Sequence, residues 1–183
     1  MPSIAEAFGL RGPRFVAPAD ARVVDDVDRG LDELEARLDA HLRVADPVAD
    51  AVTRYLLEAG GKRIRPVLTL LTAQLGEGAI DDVITAAQAI EITHLASLYH
   101  DDVMDEAEMR RGVPSAQSVW GNSVAILTGD LLFARASKLV ASLGERAIKL
   151  QAGTSDRGHL RVGAWGRRSN RVVPIPSPEA QLS

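Results

Sequence analysis

Apolar side chains return every three or four positions from Val24 onward: Val24, Val27, Leu31, Leu34, Leu38 and Leu42 form one stripe with charged residues between them. That period is a helix with a single buried face. A second helix is predicted to start at Asp46-Pro47, a capping acid followed by a first-turn proline, and to end at Gly60-Gly61. Pro66 opens a third, which carries Val67, Leu68, Leu70, Leu71 and Leu75 and is closed by Gly76-Glu77-Gly78. The fourth runs from about Asp81 to Met104, with Val83, Ile84, Ala87, Ile90, Leu95 and Leu98 as its apolar positions. A loop through Arg110, Arg111, Gly112 and Pro114 leads to a fifth helix, from roughly Ser118 to Ser142. No strand-like alternation competes, so the pattern predicts an all-α bundle.

The patterning fails at both ends. Residues 1–20, rich in Pro, Gly and Ala, are predicted to be a flexible arm. Residues 21–152 make the helical domain. From 153 to 183 the period collapses, and Arg157, Arg161, Arg167, Arg168 and Arg171 face only Asp156 and Glu179. Such a basic, aperiodic tail cannot bury an amphipathic face and is predicted to be poorly ordered. The change is abrupt, as in a frameshifted or fused end.

Composition narrows the possibilities. A chain of 183 residues suits one domain, and only 4% aromatics leaves Leu, Val, Ile and Ala to build the core. The absence of cysteine excludes disulfides and thiolate-bound zinc. A formal charge of −4 gives no general reason to expect nucleic-acid binding. The longest apolar runs are too short to cross a bilayer, and Met1 to Arg14 lacks the pattern of a signal peptide. A cytoplasmic protein is the default expectation.

The chemistry concentrates at His100-Asp101-Asp102-Val103-Met104-Asp105, the end of the fourth helix. Residues four apart share a helix face, so Asp101 and Asp105 project side by side, with Asp102 about a quarter turn away. Like charges at that spacing, at the end where the helix dipole disfavours anions, weaken the helix. A bound cation would compensate. Carboxylates without thiolates select a hard ion, and Mg2+ prefers to be shared between one or two carboxylates and a substrate's phosphates. In isolation the same residues read more readily as a solvated acidic helix end than as a metal site.

Two basic clusters change the balance. Gly60-Gly61-Lys62-Arg63-Ile64-Arg65-Pro66 puts three cations just before a helix start, and Arg110-Arg111-Gly112 follows the acids by a short stretch of chain. Each alone is commonly a solvated loop. Guanidinium forks and a lysine beside a magnesium-type carboxylate set imply together a site for two polyphosphates.

The segments GGKRIRP, HLASLYHDDVMDEAEMRRG and WGNSVAILTGD resemble, in order and spacing, the trans-isoprenyl diphosphate synthases (polyprenyl synthetases), over about Val24 to Gln151. The resemblance implies the N-terminal part of the isoprenoid synthase helical bundle. It implies that Asp101 and Asp105, helped by Asp102, bind Mg2+ bridging an allylic diphosphate, and that Arg110 holds that diphosphate. It assigns Lys62, Arg65, His94 and Arg111 to the diphosphate of isopentenyl diphosphate. His94, without the resemblance, reads equally as a polar residue lining a core. His100 has no assigned role and reads as a residue that supports the site from behind or as packing, and Asp130 reads as a structural acid rather than a site residue. The implied reaction is head-to-tail condensation of isopentenyl diphosphate with an allylic diphosphate. Ionisation leaves a carbocation and a departing pyrophosphate, which metal and cationic side chains stabilise. Family members imply a homodimer.

Small residues at Ala96 and Ser97, near Thr93, resemble an open hydrophobic tunnel rather than an aromatic floor. The expected product is therefore longer than farnesyl diphosphate, in the medium or long polyprenyl range. The second aspartate-rich motif and the Lys-Thr and Phe-Gln elements of the family do not occur here. The expectation is a C-terminally truncated member, inactive or weak alone, with an exposed apolar face where a partner is missing. A non-catalytic partner subunit of a complete synthase is the first alternative. A terpene cyclase fragment is the second, disfavoured by the GGKRIRP cluster.

Overall fold

A computed structural model of the chain describes residues 18–154. The predicted arm and basic tail therefore lie almost wholly outside the described residues. Among the described residues up to Gly144 lie six helices and a minimal hairpin: α1 (Pro18–Leu42), α2 (Pro47–Glu58), α3 (Ile64–Ala73), α4 (Asp81–Met104), β1 (Met109–Arg110), β2 (Val113–Pro114), α5 (Ala116–Trp120) and α6 (Asn122–Ser142). A separate unit starts at Glu145. Within it residues 145–154 are helical, with Lys149 paired to Glu145 one turn away at 2.5 Å.

The all-α reading holds, and α4 keeps its predicted bounds. Its buried residues, from Ile84, Ala87 and Gln88 through Glu91, Ile92 and Leu95 to Tyr99 and Asp102, with Ala89 and Ala96 at the margin, cover about half of the helix circumference. A helix of that kind belongs at the centre. It packs against α6, α3, α1 and α5. The main core joins Leu34, Leu38 and Leu42 of α1 with Val52 and Leu56 of α2, Ile92, Leu95, Ala96 and Tyr99 of α4, and Leu132 and Ala136 of α6. A smaller cluster of Val27, Val67, Leu70 and Ile84 holds α3 on α1 and α4. Tyr99, fully buried, donates its hydroxyl to the Val52 carbonyl.

The α2 start is as the sequence implies: Asp46 accepts from the backbone N–H groups of Val48 (3.0 Å) and Ala49 (2.8 Å) ahead of Pro47. Other boundaries differ. Helix α1 already includes Pro18, inside the predicted arm. Helix α3 starts at Ile64, so Pro66 sits within its first turn, where its missing N–H costs no intrahelical bond. It ends at Ala73, before the Gly76–Gly78 stop. The predicted fifth helix is two, α5 and α6, broken at Gly121 with φ of 85°.

The predicted loop at Arg110–Pro114 is a hairpin, with Met109 opposite Pro114 and Arg110 opposite Val113. Its two connecting residues, Arg111 and Gly112, both have positive φ (53° and 81°). That turn matches the twist of the strands but usually recruits Asn-Gly or Asp-Gly, so Arg-Gly hides it in the sequence. Tyr55 donates its hydroxyl to the Pro114 carbonyl at 2.9 Å and meets Trp120 edge-on with ring centres 4.8 Å apart, which fastens the hairpin to α2 and α5.

Candidate functional site

The acids stand at the end of α4, which closes in a hydrogen-bonded reversal. The Ala107 N–H donates to the Asp102 carbonyl at 2.9 Å, and the Glu106 N–H to that of Val103 at 3.4 Å, with Glu106 left-handed at φ 51°. Glutamate takes the position that glycine usually fills. The reversal delivers Arg110 back alongside the helix it has just left.

There the three aspartates part company. Asp102 is fully buried, and its Oδ1 accepts from Nε of Arg110 at 2.5 Å. Burial pushes the Asp102 carboxyl up, and the Arg110 hydrogen bond opposes that. Its Oδ2 is buried with no hydrogen-bond partner. Asp101 is half-buried and Asp105 exposed, and neither has an ion-pair partner among the described residues. Among the described residues, no three acid or imidazole side chains converge closely enough to hold a metal by themselves. What remains is a pair of free carboxylates on one helix face. That donor set suits a hard divalent ion completing its shell with phosphate and water, not a closed protein cage.

The basic residues also divide by burial. Lys62 and Arg65 are exposed, with no ion pair among the described residues. Arg63, between them, is buried and paired with Glu35 at 2.5 Å and with the buried Glu91 at 3.2 Å. Arg111 is half-buried, and its Nη1 donates to the Leu56 carbonyl at 2.6 Å and to that of Gly60. It thereby caps the end of α2, where the helix dipole welcomes a cation. Burial pulls the Arg111 guanidinium down from its ordinary value, with Arg63 and Arg110 adding to the effect and Glu91 opposing it.

His94 is where these charges meet. It sits half-buried on α4, seven residues before Asp101 and thus two turns away on nearly the same face. Burial, followed by Arg65, Arg111, Arg110 and Arg63, holds its imidazole down to about 4. At neutral pH it is an uncharged ring, able to donate or accept, in a field of four guanidiniums. The structure thus gathers Arg65, Arg110, Arg111 and His94 in one electropositive neighbourhood; among the described residues no hydrogen bond or ion pair fixes the Lys62 side chain there.

The remaining predicted residues fall elsewhere. Ala96 is fully buried in the main core, while Ser97 is half-buried and donates to the His94 carbonyl at 2.8 Å. His100 packs on α6: its Nε2 lies 3.1 Å from the Ile126 carbonyl and 3.3 Å from Asp130, and its ring is 5.5 Å from that of Phe133. Both His100 and Asp130 thus make contacts that join α4 to α6. A groove of about 370 Å3 lined by residues such as Asp26, Arg29, Glu33 and Asp81 lies at the opposite end of α4 from the aspartates.

Sequence reasoning missed the Glu35–Arg63–Glu91 network. One signal was available. Glu91 lies four residues after Ala87 and four before Leu95, inside the apolar stripe of α4, where a carboxylate needs a buried cation.

With the geometry described, known proteins can be compared. The chain is 51% identical over 136 residues to nonaprenyl diphosphate synthase of Mycobacterium tuberculosis, covering 74% of this chain and 41% of that protein. It is 43% identical to heptaprenyl diphosphate synthase component 2 of Geobacillus stearothermophilus, over 71% of this chain and 40% of that one. Among solved structures, polyprenyl synthase from Caulobacter crescentus, complexed with calcium and isoprenyl diphosphate, superposes with a TM-score of 0.69 at 33% identity, over 80% of this chain and 44% of its own. The chain spans about two-fifths of the length of the curated relatives it matches. A family model described as polyprenyl synthetase matches residues 46–160, running past the boundary drawn at 153. On that match the chain belongs to the polyprenyl synthetase family.

Proposed function

We propose that this chain carries the diphosphate-binding part of a trans-isoprenyl diphosphate synthase, which condenses isopentenyl diphosphate head-to-tail with an allylic diphosphate. The observation that carries the reading is the neutral His94 amid four arginines, two helical turns before Asp101 and three before Asp105, neither of which has an ion-pair partner among the described residues. Lys62 and Arg65, exposed and without an ion pair among the described residues, together with Asp101 and Asp105, likewise without one, suit a ligand that is itself anionic and brings a metal.

Each side chain has a task in this reading. Asp101 and Asp105 would hold Mg2+, which when bound supplies Lewis-acid neutralisation of the departing pyrophosphate. Arg110, oriented by Asp102, presents its remaining N–H groups to the allylic diphosphate. Lys62, Arg65, His94 and Arg111 receive the diphosphate of isopentenyl diphosphate, with His94 donating an N–H while adding no charge. Asp102, buried and already paired, orients Arg110 and is not a metal ligand.

The relatives named for nonaprenyl and heptaprenyl products favour a medium-chain polyprenyl product. Ala96 and Ser97 are the proposed small residues beside the growing chain. Incubating the purified chain with labelled isopentenyl diphosphate, an allylic primer and Mg2+ tests the activity. Extraction of labelled polyprenyl product supports it, and its absence both alone and with a complete synthase counts against it. Product only in the mixture favours a partner-subunit role, a reading supported by the exposed Ile126, Leu127 and Leu131 on α6. The homodimer belongs to the same proposal, with sedimentation of the chain as its measure. Among the described residues no helix is long and apolar enough to cross a membrane.

A further inference from the structure

We propose that Arg63 is a positioning residue for diphosphate binding: its guanidinium, locked between Glu35 and Glu91, fixes the turn that presents Lys62 and Arg65 to solvent. The inference rests on the diphosphate reading above and extends it to a residue that no ligand can touch. Arg63 precedes α3 with φ 47° and ψ 35°, the left-handed region that L-residues enter reluctantly. Such a conformation persists only where surrounding contacts over-determine it. Here they do. Nε and Nη2 reach the two oxygens of Glu35 at 2.5 and 3.3 Å, Nη1 reaches Glu91 at 3.2 Å, and Nη2 also donates to the Leu57 carbonyl at 3.4 Å.

All three guanidinium nitrogens are therefore engaged, and the partners come from three helices, α1, α4 and α2. The side chain is 5% exposed and that of Glu91 only 2%, so Arg63 is unavailable as a ligand group. Gly61 tightens the arrangement: a Cβ there would lie 2.9 Å from Arg63 Nη1 and 3.1 Å from Arg111 Cζ. Two guanidiniums close on one glycine, and the buried Glu91 carboxylate attracts both. The latch thus holds Lys62 in the loop, Arg65 in the first turn of α3 and the flank of Arg111 in one frame. A lysine at position 63 would keep the charge but lack the planar fork that reaches two carboxylates at once.

The test is calorimetric titration of the full chain with inorganic pyrophosphate and Mg2+, with amide relaxation of residues 61–65 measured by NMR. Arg63→Lys should weaken binding about 10-fold or more at unchanged net charge, because displaced groups lose their geometry. The loop amides should gain motion while the rest of the chain keeps its spectrum. If Arg63→Lys does not fold, Glu35→Gln loosens half the latch and should give a smaller loss with the same local gain in motion. Wild-type affinity in whichever of these variants fold would overturn the positioning role. The diphosphate reading is scored separately: Lys62→Ala and Arg65→Ala must each weaken pyrophosphate binding. A wild-type chain that binds none would sink both.

Discussion

Asp102 and Arg110, eight residues apart, close the end of α4 on itself: a fully buried carboxylate oxygen meets the guanidinium Nε at 2.5 Å while its second oxygen has no partner. The pair makes one aspartate of the D-D-x-x-D run a structural anion and leaves the other two free. It also ties the hairpin to the helix that carries the acids.

Removing the arginine should therefore cost more than removing the acid. Arg110→Ala leaves a buried charge unpaired and is expected to destabilise the fold by about 2–4 kcal/mol. Adding Asp102→Asn to it should restore part of that loss. Urea unfolding of the single and double variants measures both, and equal stability of Arg110→Ala and the parent would refute the pairing.

His94 gives a pH signature. Its folded value of about 4 lies below the ordinary 6.5, so the unfolded chain binds the extra proton first. Its contribution is constant above pH 6.5 and is lost as pH falls from 6.5 towards 4. Glu91 and Asp102, both raised by burial, act with the opposite sign, so the comparison must be against a variant. His94→Gln should flatten the decline in unfolding midpoint between pH 6.5 and 4, and parallel profiles would contradict the cationic surround.

Gly129 and His100 define how closely α4 and α6 approach. A Cβ at Gly129 would overlap Nε2 and Cδ2 of His100. Gly129→Ala should cost about 1–3 kcal/mol by overpacking, despite the better helix propensity of alanine. His100→Ala in the same chain should recover most of it. Thermal unfolding checks the pair, and a stabilised Gly129→Ala would show the contact to be soft.

Much of this was legible in the sequence. The long stripes of α1 and α4 fixed the helical class because period and length agree, and the Asp46-Pro47 cap formed as its residue types require. Burial was not legible. Asp101 and Asp102 are the same residue type side by side, and only the return of the chain through Glu106 decides which is paired. The same holds for Lys62, Arg63 and Arg65, where Glu35 and Glu91 lie 28 residues from Arg63 on either side. The Arg111-Gly112 turn was invisible because its dihedral angles, not its residue types, define it.

Glu106 offers a local check on that return. A left-handed glutamate is less comfortable than glycine there, so Glu106→Gly should be neutral or stabilise by up to about 1 kcal/mol. A clear loss in unfolding free energy would mean that the side chain makes a contact of its own.

The grip on a metal-bound diphosphate is tested most directly by titrating pyrophosphate into the parent chain and into Asp101→Asn/Asp105→Asn, each with Mg2+ and with chelator. The parent should bind at least about 10-fold more tightly with the ion, and the double variant should lose that gain while keeping the metal-independent binding that the arginines supply. An undiminished magnesium effect in the double variant would place the ion elsewhere and contradict the assignment.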